Sequence, residues 1–165
     1  HPQEIARTIE NAHKAGKIRA FGVSNFTQAQ ISTLAQFSAV PIVSTQPELS
    51  PLRIDTVENG ELDQAIAMNL AVLAWSPLGG GRIGDPQNAR EQNVAAALSA
   101  VATAHGVSRT AAAYSWIMAH PARPIPIVGS QNPARIAEAA DAFKIQWTRA
   151  DWYSVLVAAR GVPLP

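Results

Sequence analysis

The sequence predicts an α/β fold: half of a TIM (β/α)8 barrel, four parallel strands with flanking helices. Three observations lead there. Short apolar segments of strand length alternate with segments whose apolar residues recur at helical spacing, the order that gives parallel pairing. Right-handed crossovers lay every helix on one face if the sheet curls in one direction, which is barrel topology. A complete eightfold barrel takes roughly 250 residues, about 30 per unit, so four strands in 165 residues make about half of one. Such a sheet cannot close alone. Its exposed edges lead us to expect association, with a second copy or with a complementary half-barrel.

The first helix carries Ile5, Ile9 and Ala12 and stops at Gly16, as a helix end with a glycine should. Ile18 to Gly22 reads as a strand, followed by Ser24-Asn25-Phe26-Thr27 and a helix with Ile31, Leu34 and Ala35 on one face. Val43 to Leu49 is the second strand, Leu62 to Met68 a short helix, and Ala71 to Trp75 a fully buried third strand. The stretch from Pro77 to Asn88 holds glycines and prolines that break ladder and helix alike. Loops of this length inside compact domains are more often functional than accidental, and a lid over a ligand is the expectation.

Two helices follow, one on Val94, Leu98 and Val101, the other on Ala111, Tyr114 and Ile117, separated by a stop at His105-Gly106 and a cap at Ser108. The last strand, Ile125 to Gly129, leads into Asn132-Pro133, a favoured N-cap and first-turn pair, with Ile136, Ala140 and Phe143 facing inward. A final helix places Trp152, Val155, Leu156 and Ala159 on one side. With no internal repeat and no linker, residues 1–165 read as one domain.

Composition narrows the function classes. With 47% hydrophobic and 15% charged residues the chain has material for a core. A formal charge of +1, with no Lys and Arg cluster alternating with aromatics, argues against a nucleic-acid partner. The absence of Cys excludes disulfides, thiolate metal sites and cysteine nucleophiles, and fits a reducing compartment, so the cytoplasm is expected. No apolar run approaches the roughly 20 residues that span a bilayer, and the start reads as an amphipathic helix rather than a signal peptide. No membrane is expected as partner. Because the first residue is His1, the sequence is read as beginning partway through a longer product.

In a parallel βα array the ligand site lies at the carboxyl ends of the strands. Four places qualify: Ser24-Asn25, Gln46, Trp75-Ser76, and Gly129-Ser130 with the helix that begins at Pro133. Ser24, Asn25 and Gln46 offer groups that both donate and accept, as a carboxamide needs for fixed orientation; Ser-Asn after a strand also serves simply as capping chemistry. Trp75 suits stacking on a heteroaromatic ring, or filling the core. Ser76 and Gly79 to Gly81 allow backbone amides to approach a phosphate, although flexible loops need glycine anyway. Gly129-Ser130 runs straight into a helix amino terminus, whose free N–H groups and positive dipole end attract anions; Arg135 either adds a guanidinium to a phosphate or is an ordinary solvated side chain.

Acid–base candidates are poor. His13, His105 and His120 lie at helix ends and read as surface or cap, and Tyr114 and Tyr153 as core or rim. There is no HExxH, GxSxG, Walker loop or paired-carboxylate arrangement, so hydrolase and phosphotransfer readings have no support, and no metal is expected.

At these loops the sequence resembles the aldo-keto reductases along its whole length. GKIRAFGVSNF (Gly16 to Phe26) looks like that family's fifth strand, and TQPELSPL (Thr45 to Leu52) is similar to its sixth. VLAWSPLGGG (Val72 to Gly81) resembles the seventh, and PIPIVGSQNPARIAEAADA (Pro124 to Ala142) the eighth strand and following helix. The resemblance implies a nicotinamide dinucleotide as cofactor, with NADP (NADPH) favoured over NAD. It implies that Ser24, Asn25 and Gln46 hold the carboxamide, that Trp75 stacks on the nicotinamide ring, and that Ser76, Leu78 and Gly79 line the pyrophosphate. Ser130 and Arg135 would hold the adenosine phosphate, and Glu138 would lie by the adenine edge. Two departures bear on coenzyme choice: Gly129 stands where many NADPH-using members have Lys, and Ala139 where many have Asn.

The family's catalytic Asp, Tyr, Lys and His belong to the half that precedes these motifs, so no residue here inherits a catalytic role. Two functions follow as expectations. The chain is the NAD(P)H-binding half of a carbonyl-to-alcohol oxidoreductase, inactive alone, or it is a non-catalytic half-barrel module for binding or oligomerisation.

Overall fold

The computed structural model describes residues 1–164; Pro165, the last residue of the expected domain, lies outside them. Strands β1 (Phe21–Ser24), β2 (Ile42–Gln46), β3 (Ala71–Ala74) and β4 (Ile125–Pro126) form one parallel sheet in the order β1-β2-β3-β4. Helices α1 (Pro2–Lys14), α2 (Gln28–Phe37), α3 (Asp55–Glu58) and α4 (Glu61–Ala67) surround the first half. Then come α5 (Ala89–Ala104), α6 (Arg109–Met118), α7 (Pro133–Ala139), a 3-10 helix (Ala140–Lys144) and α8 (Arg149–Arg160). Sequential strand order with helical crossovers is the arrangement the alternating pattern predicts.

The caps explain where the helices begin. Thr27 accepts from Gln30 N–H while Gln30 returns a bond to Thr27 N–H, a complete capping box on α2. Asn88, Ser108 and Thr148 cap α5, α6 and α8 in the same way, each accepting from the N–H three residues on. The core lies between the sheet and these helices, around Val72, Val94, Leu98, Trp116, Ile117 and Val155, each contributing about 1.5–3 kcal/mol when a side chain of that size leaves water. Trp116 on α6 and Trp152 on α8 stack with centroids 4.9 Å apart, and each indole N–H donates to the other residue's carbonyl at 3.0 Å. Ile31 and Leu34 of α2, and Val155, Leu156 and Ala159 of α8, are buried as expected.

Five expectations are corrected. The first strand starts at Phe21 rather than Ile18, because Gly16 N–H and Lys17 N–H fold back on His13 and Ala12 to close α1 and residues 18–20 only connect. The second ends at Gln46; beyond it the pairing survives as a bridge between Glu48 and Trp75. The third is buried only at Val72 and Ala74, since no layer covers the other face of the sheet and Ala71 is exposed. The fourth is two residues long: Pro126 has no N–H for the ladder, and one further bond, Ile127 N–H to Ala74 O, ends it. Ile136 and Phe143 do not face inward. They are 48% and 78% exposed and Ala140 is exposed too: α7 buries none of its residues, and its passage into a 3-10 helix at Ala140 changes the residues per turn, turning Phe143 out and bringing Ala142 inside.

Candidate functional site

The carboxyl ends of the strands carry two adjoining groups of site residues. At the first, β1 and β2 pair Ser24 with Gln46, and the Ser24 hydroxyl donates to Gln46 O at 2.9 Å. The next residue, Asn25, has φ of 54°, the left-handed conformation that Asn tolerates better than most; its N–H also donates to Gln46 O. Asn25 Oδ1 accepts the Trp75 indole N–H at 2.9 Å, so four expected residues are tied into one cluster across three strands. Asn25 and Trp75 share a groove of about 330 Å³ with Glu48, Arg53 and Asp55, where Arg53 lies 3.0 Å from Asp55 and 3.8 Å from Glu48.

The second group lines a larger cleft of about 680 Å³. It brings together Ser76, Leu78, Gly129, Ser130, Arg135 and Glu138, six of the expected residues from three separate stretches of chain. This volume is within the usual range for small-molecule and cofactor sites. Arg135 is the only cationic side chain on its wall; Asp85 and Glu138 are the anionic ones.

Gly79 is absent from that wall. It is buried behind it at φ of 59°, where an added Cβ would lie 2.9 Å from Leu52 Cδ1, and Gly80 and Gly81 face the cleft in its place. The glycine amides are not free for an anion as the sequence suggested. Gly79 N–H donates to Ser76 O, Gly80 N–H to Ser76 Oγ, and Gly81 N–H to Leu78 O. What the run of glycines supplies is three successive left-handed residues that wind the loop tightly.

Residues 77–88 are bonded to one another and to α5 and α6 as part of the cleft wall. Ile83 is buried, Arg82 donates to Gly79 O and to Glu91, and Arg109 donates to Gly84 O. Glu91 is buried and also accepts Gln87 N–H at 2.7 Å. That N–H, with Arg82 and Asn88, holds its carboxyl below the usual carboxylate range against the opposing effect of desolvation.

The amino terminus of α7 is likewise partly committed. Pro133 has no N–H, Ala134 N–H is taken by Asn132 Oδ1, and Ile136 N–H bonds Asn132 O, leaving the Arg135 N–H of the first turn. Ser130 Oγ already accepts from Asn132 N–H, which fixes its position at the cleft.

Sequence reading missed Thr110 and Tyr114, which reach the cleft from α6. They stand four residues apart on one helix face, and helical spacing alone left Tyr114 as core or rim. Burial, reinforced by the charge of Glu138, pushes the Tyr114 phenol up from its ordinary pKa. Among the described residues no group of His, Cys, Asp and Glu is arranged to hold a metal ion, and no helix is long and apolar enough to cross a membrane.

The family model described as the aldo/keto reductase family matches residues 1–156. The chain belongs to this family. It is 62% identical over 165 residues to the 6-dehydroglucose reductase of Novosphingobium aromaticivorans, covering all of this chain and 54% of that protein. A 6-dehydroglucose reductase of Agrobacterium fabrum is 34% identical over 159 residues, 96% of this chain and 52% of its own length. Among solved structures, the glycerol dehydrogenase of Gluconobacter oxydans superposes with a TM-score of 0.85 at 26% identity, over 99% of this chain and 56% of that one. A thermostable aldo-keto reductase solved with the inhibitor epalrestat also gives 0.85, at 20% identity, over 96% and 55%. This aldo/keto reductase chain therefore spans about half the length of the curated relatives it matches, and its four parallel strands with flanking helices are half a TIM barrel. The family uses nicotinamide cofactors.

Proposed function

We propose that this chain is the coenzyme-binding half of an NAD(P)H-dependent reductase that turns a carbonyl into an alcohol, working in the cytoplasm as one domain of residues 1–165. The observation that carries the reading is the 680 Å³ cleft, which gathers Ser76, Leu78, Gly129, Ser130, Arg135 and Glu138 beside the linked cluster of Ser24, Asn25, Gln46 and Trp75. In this reading the dinucleotide lies with its nicotinamide at Trp75 and its adenosine at Glu138. Ser24, Asn25 and Gln46 orient the carboxamide, and Arg135 meets the adenosine phosphate. That guanidinium favours NADPH over NADH, because a 2′-phosphate is the feature that distinguishes the two. The names of the relatives support an oxidised hexose such as 6-dehydroglucose as substrate class.

When bound, the reduced nicotinamide supplies hydride to the carbonyl carbon, and a proton must reach the carbonyl oxygen. Among the described residues the tyrosines stand away from the nicotinamide end, Tyr114 lining the far cleft and Tyr153 packing against Trp152 on α8, while the carboxylates beside Trp75, Glu48 and Asp55, are paired with Arg53. The chain alone is therefore inactive in this reading, and catalysis needs the complementary half. Pairing, with that half or a second copy, is favoured by Ile125 and Val43, large apolar residues left exposed on the sheet.

A titration with NADPH and with NADH, followed by tryptophan emission and with mass measured by light scattering, tests the reading. Saturable quenching by NADPH, lost in Trp75→Ala with an unchanged circular dichroism spectrum, is the expected result. A wild-type chain that is folded and does not saturate with either coenzyme refutes it.

A further inference from the structure

The adenosine end of the cleft contains one side chain that neither the family motifs nor the strand-end rule explains. Tyr114 is only 5% exposed, yet it lines the cleft, and its hydroxyl makes no hydrogen bond among the described residues. Buried polar groups without partners are uncommon and call for a reason. Gln64 Oε1 is the only fully enclosed side-chain oxygen or nitrogen left unpaired among the described residues, so the Tyr114 hydroxyl is not sealed in protein; it opens on the cleft.

The surroundings define what it can bind. Thr110, one turn earlier on α6, and Ile127 line the same space, and Glu138 of α7 lines it close enough for its charge to act on the Tyr114 phenol. Burial and the Glu138 charge both favour the neutral phenol, so the hydroxyl keeps its proton and serves as a donor at any working pH. A donor set against a carboxylate acceptor, in a slot walled by Ile127, suits a planar heterocycle that carries both acceptor nitrogens and an amino group, which is the chemistry of adenine.

We infer that Tyr114 is a binding residue for the adenosine moiety of the dinucleotide, donating its hydroxyl hydrogen bond to an acceptor atom there. The inference rests on the coenzyme reading given above and adds a contact from α6.

Tyr114→Phe keeps the ring and its packing and removes only the donor. Calorimetric titration of the chain with adenosine 2′,5′-bisphosphate, which contains the adenosine end and no nicotinamide, reads the contact directly. Loss of one hydrogen bond to the ligand predicts roughly three- to tenfold weaker binding, with the melting temperature unchanged. Ile66→Ser, at an exposed position on α4 outside both groups of site residues, serves as the control and is expected to bind the bisphosphate as the wild type does. Equal affinities for wild type and Tyr114→Phe overturn the inference and leave the coenzyme reading standing. A wild-type chain that binds neither the bisphosphate nor NADPH overturns both.

Discussion

Gly22→Ala is expected to unfold the chain more easily and to disturb a site two residues away. Gly22 sits where β1 crosses closest to β2, at the register shift between Phe21 and Gly22. A Cβ built there would lie 2.0 Å from Ser44 Oγ, 2.8 Å from Ser44 O and 3.2 Å from Ser44 Cβ. The hydroxyl can rotate away; the carbonyl oxygen is part of the strand and cannot, so β1 and β2 must separate. Overpacking of this kind costs about 2 kcal/mol, which for a chain of this size lowers the melting temperature by roughly 4–8 °C. Because Ser24 pairs with Gln46 in the same ladder, the spread strands also loosen the Ser24 hydroxyl bond and weaken NADPH binding. Gly129→Ala is the matched control: nothing lies within 4 Å of its added Cβ and its backbone is not left-handed, so its melting temperature should stay within about 1–2 °C of the wild type. Thermal unfolding followed by circular dichroism decides the matter, and a Gly22→Ala chain that melts with the wild type would refute the reasoning.

Trp116→Phe removes an indole donor from Trp152 O in a stack of a buried Trp116 on a half-buried Trp152 and should cost about 1–2 kcal/mol; the double variant with Trp152→Phe should lose less than the two single losses added together, since both act on one reciprocal pair. Strictly additive losses in denaturant melts would show that the two bonds act independently. Burial lowers the pKa of His120, partly offset by Asp63, and its Nδ1 accepts Ala122 N–H, so the fold holds the neutral ring. A folded-state pKa below the unfolded value of about 6.5 means this contribution is fully present above that pH and is lost as pH falls toward the lower value. Stability measured by urea unfolding between pH 7 and 5 should fall less steeply for His120→Gln than for the wild type, and identical slopes would remove His120 as the cause.

How much of this was legible in the sequence depends on the range of the interactions involved. The order of strands and helices could be read because caps such as Thr27 and Ser108 act within three residues and core faces such as Ile31-Leu34 repeat within one turn. The length of β4 could be read only in part: Pro126 signals a broken ladder, but the two-residue result depends on which bonds β3 still offers. The inward face of residues 133–144 was misread because nothing local marks the change from α7 to a 3-10 helix, and that change rotates Phe143 outward. Among the residues of the two groups, those at strand ends were legible because parallel topology sends every strand end to one rim. Tyr114 was not, since a helix residue whose ring packs in the core and whose hydroxyl meets a cleft has the same spacing as one wholly inside.

The two groups of site residues differ in what holds them, and that difference orders their dependence on the rest of the barrel. The wall of the larger cleft is fixed within this half: Arg82 and Glu91 clamp residues 79–87, Arg109 holds Gly84, and Ser130 is set by Asn132. None of these bonds needs anything across the open sheet. The cluster of Ser24, Asn25, Gln46 and Trp75 is also bonded internally, but β1, which carries Ser24 and leads into Asn25, is at an edge of the sheet, and Ser24 and Asn25 are exposed. β1 and β4 are the two edge strands, and an edge strand has half its backbone groups unpaired, so each is less constrained than β2 or β3. Restraining β1 from its open side would therefore tighten the cluster of Ser24, Asn25, Gln46 and Trp75 more than the larger cleft. Bisphosphate affinity should accordingly be nearly complete in this chain alone, whereas affinity added by the nicotinamide should rise when the complementary half pairs with β1.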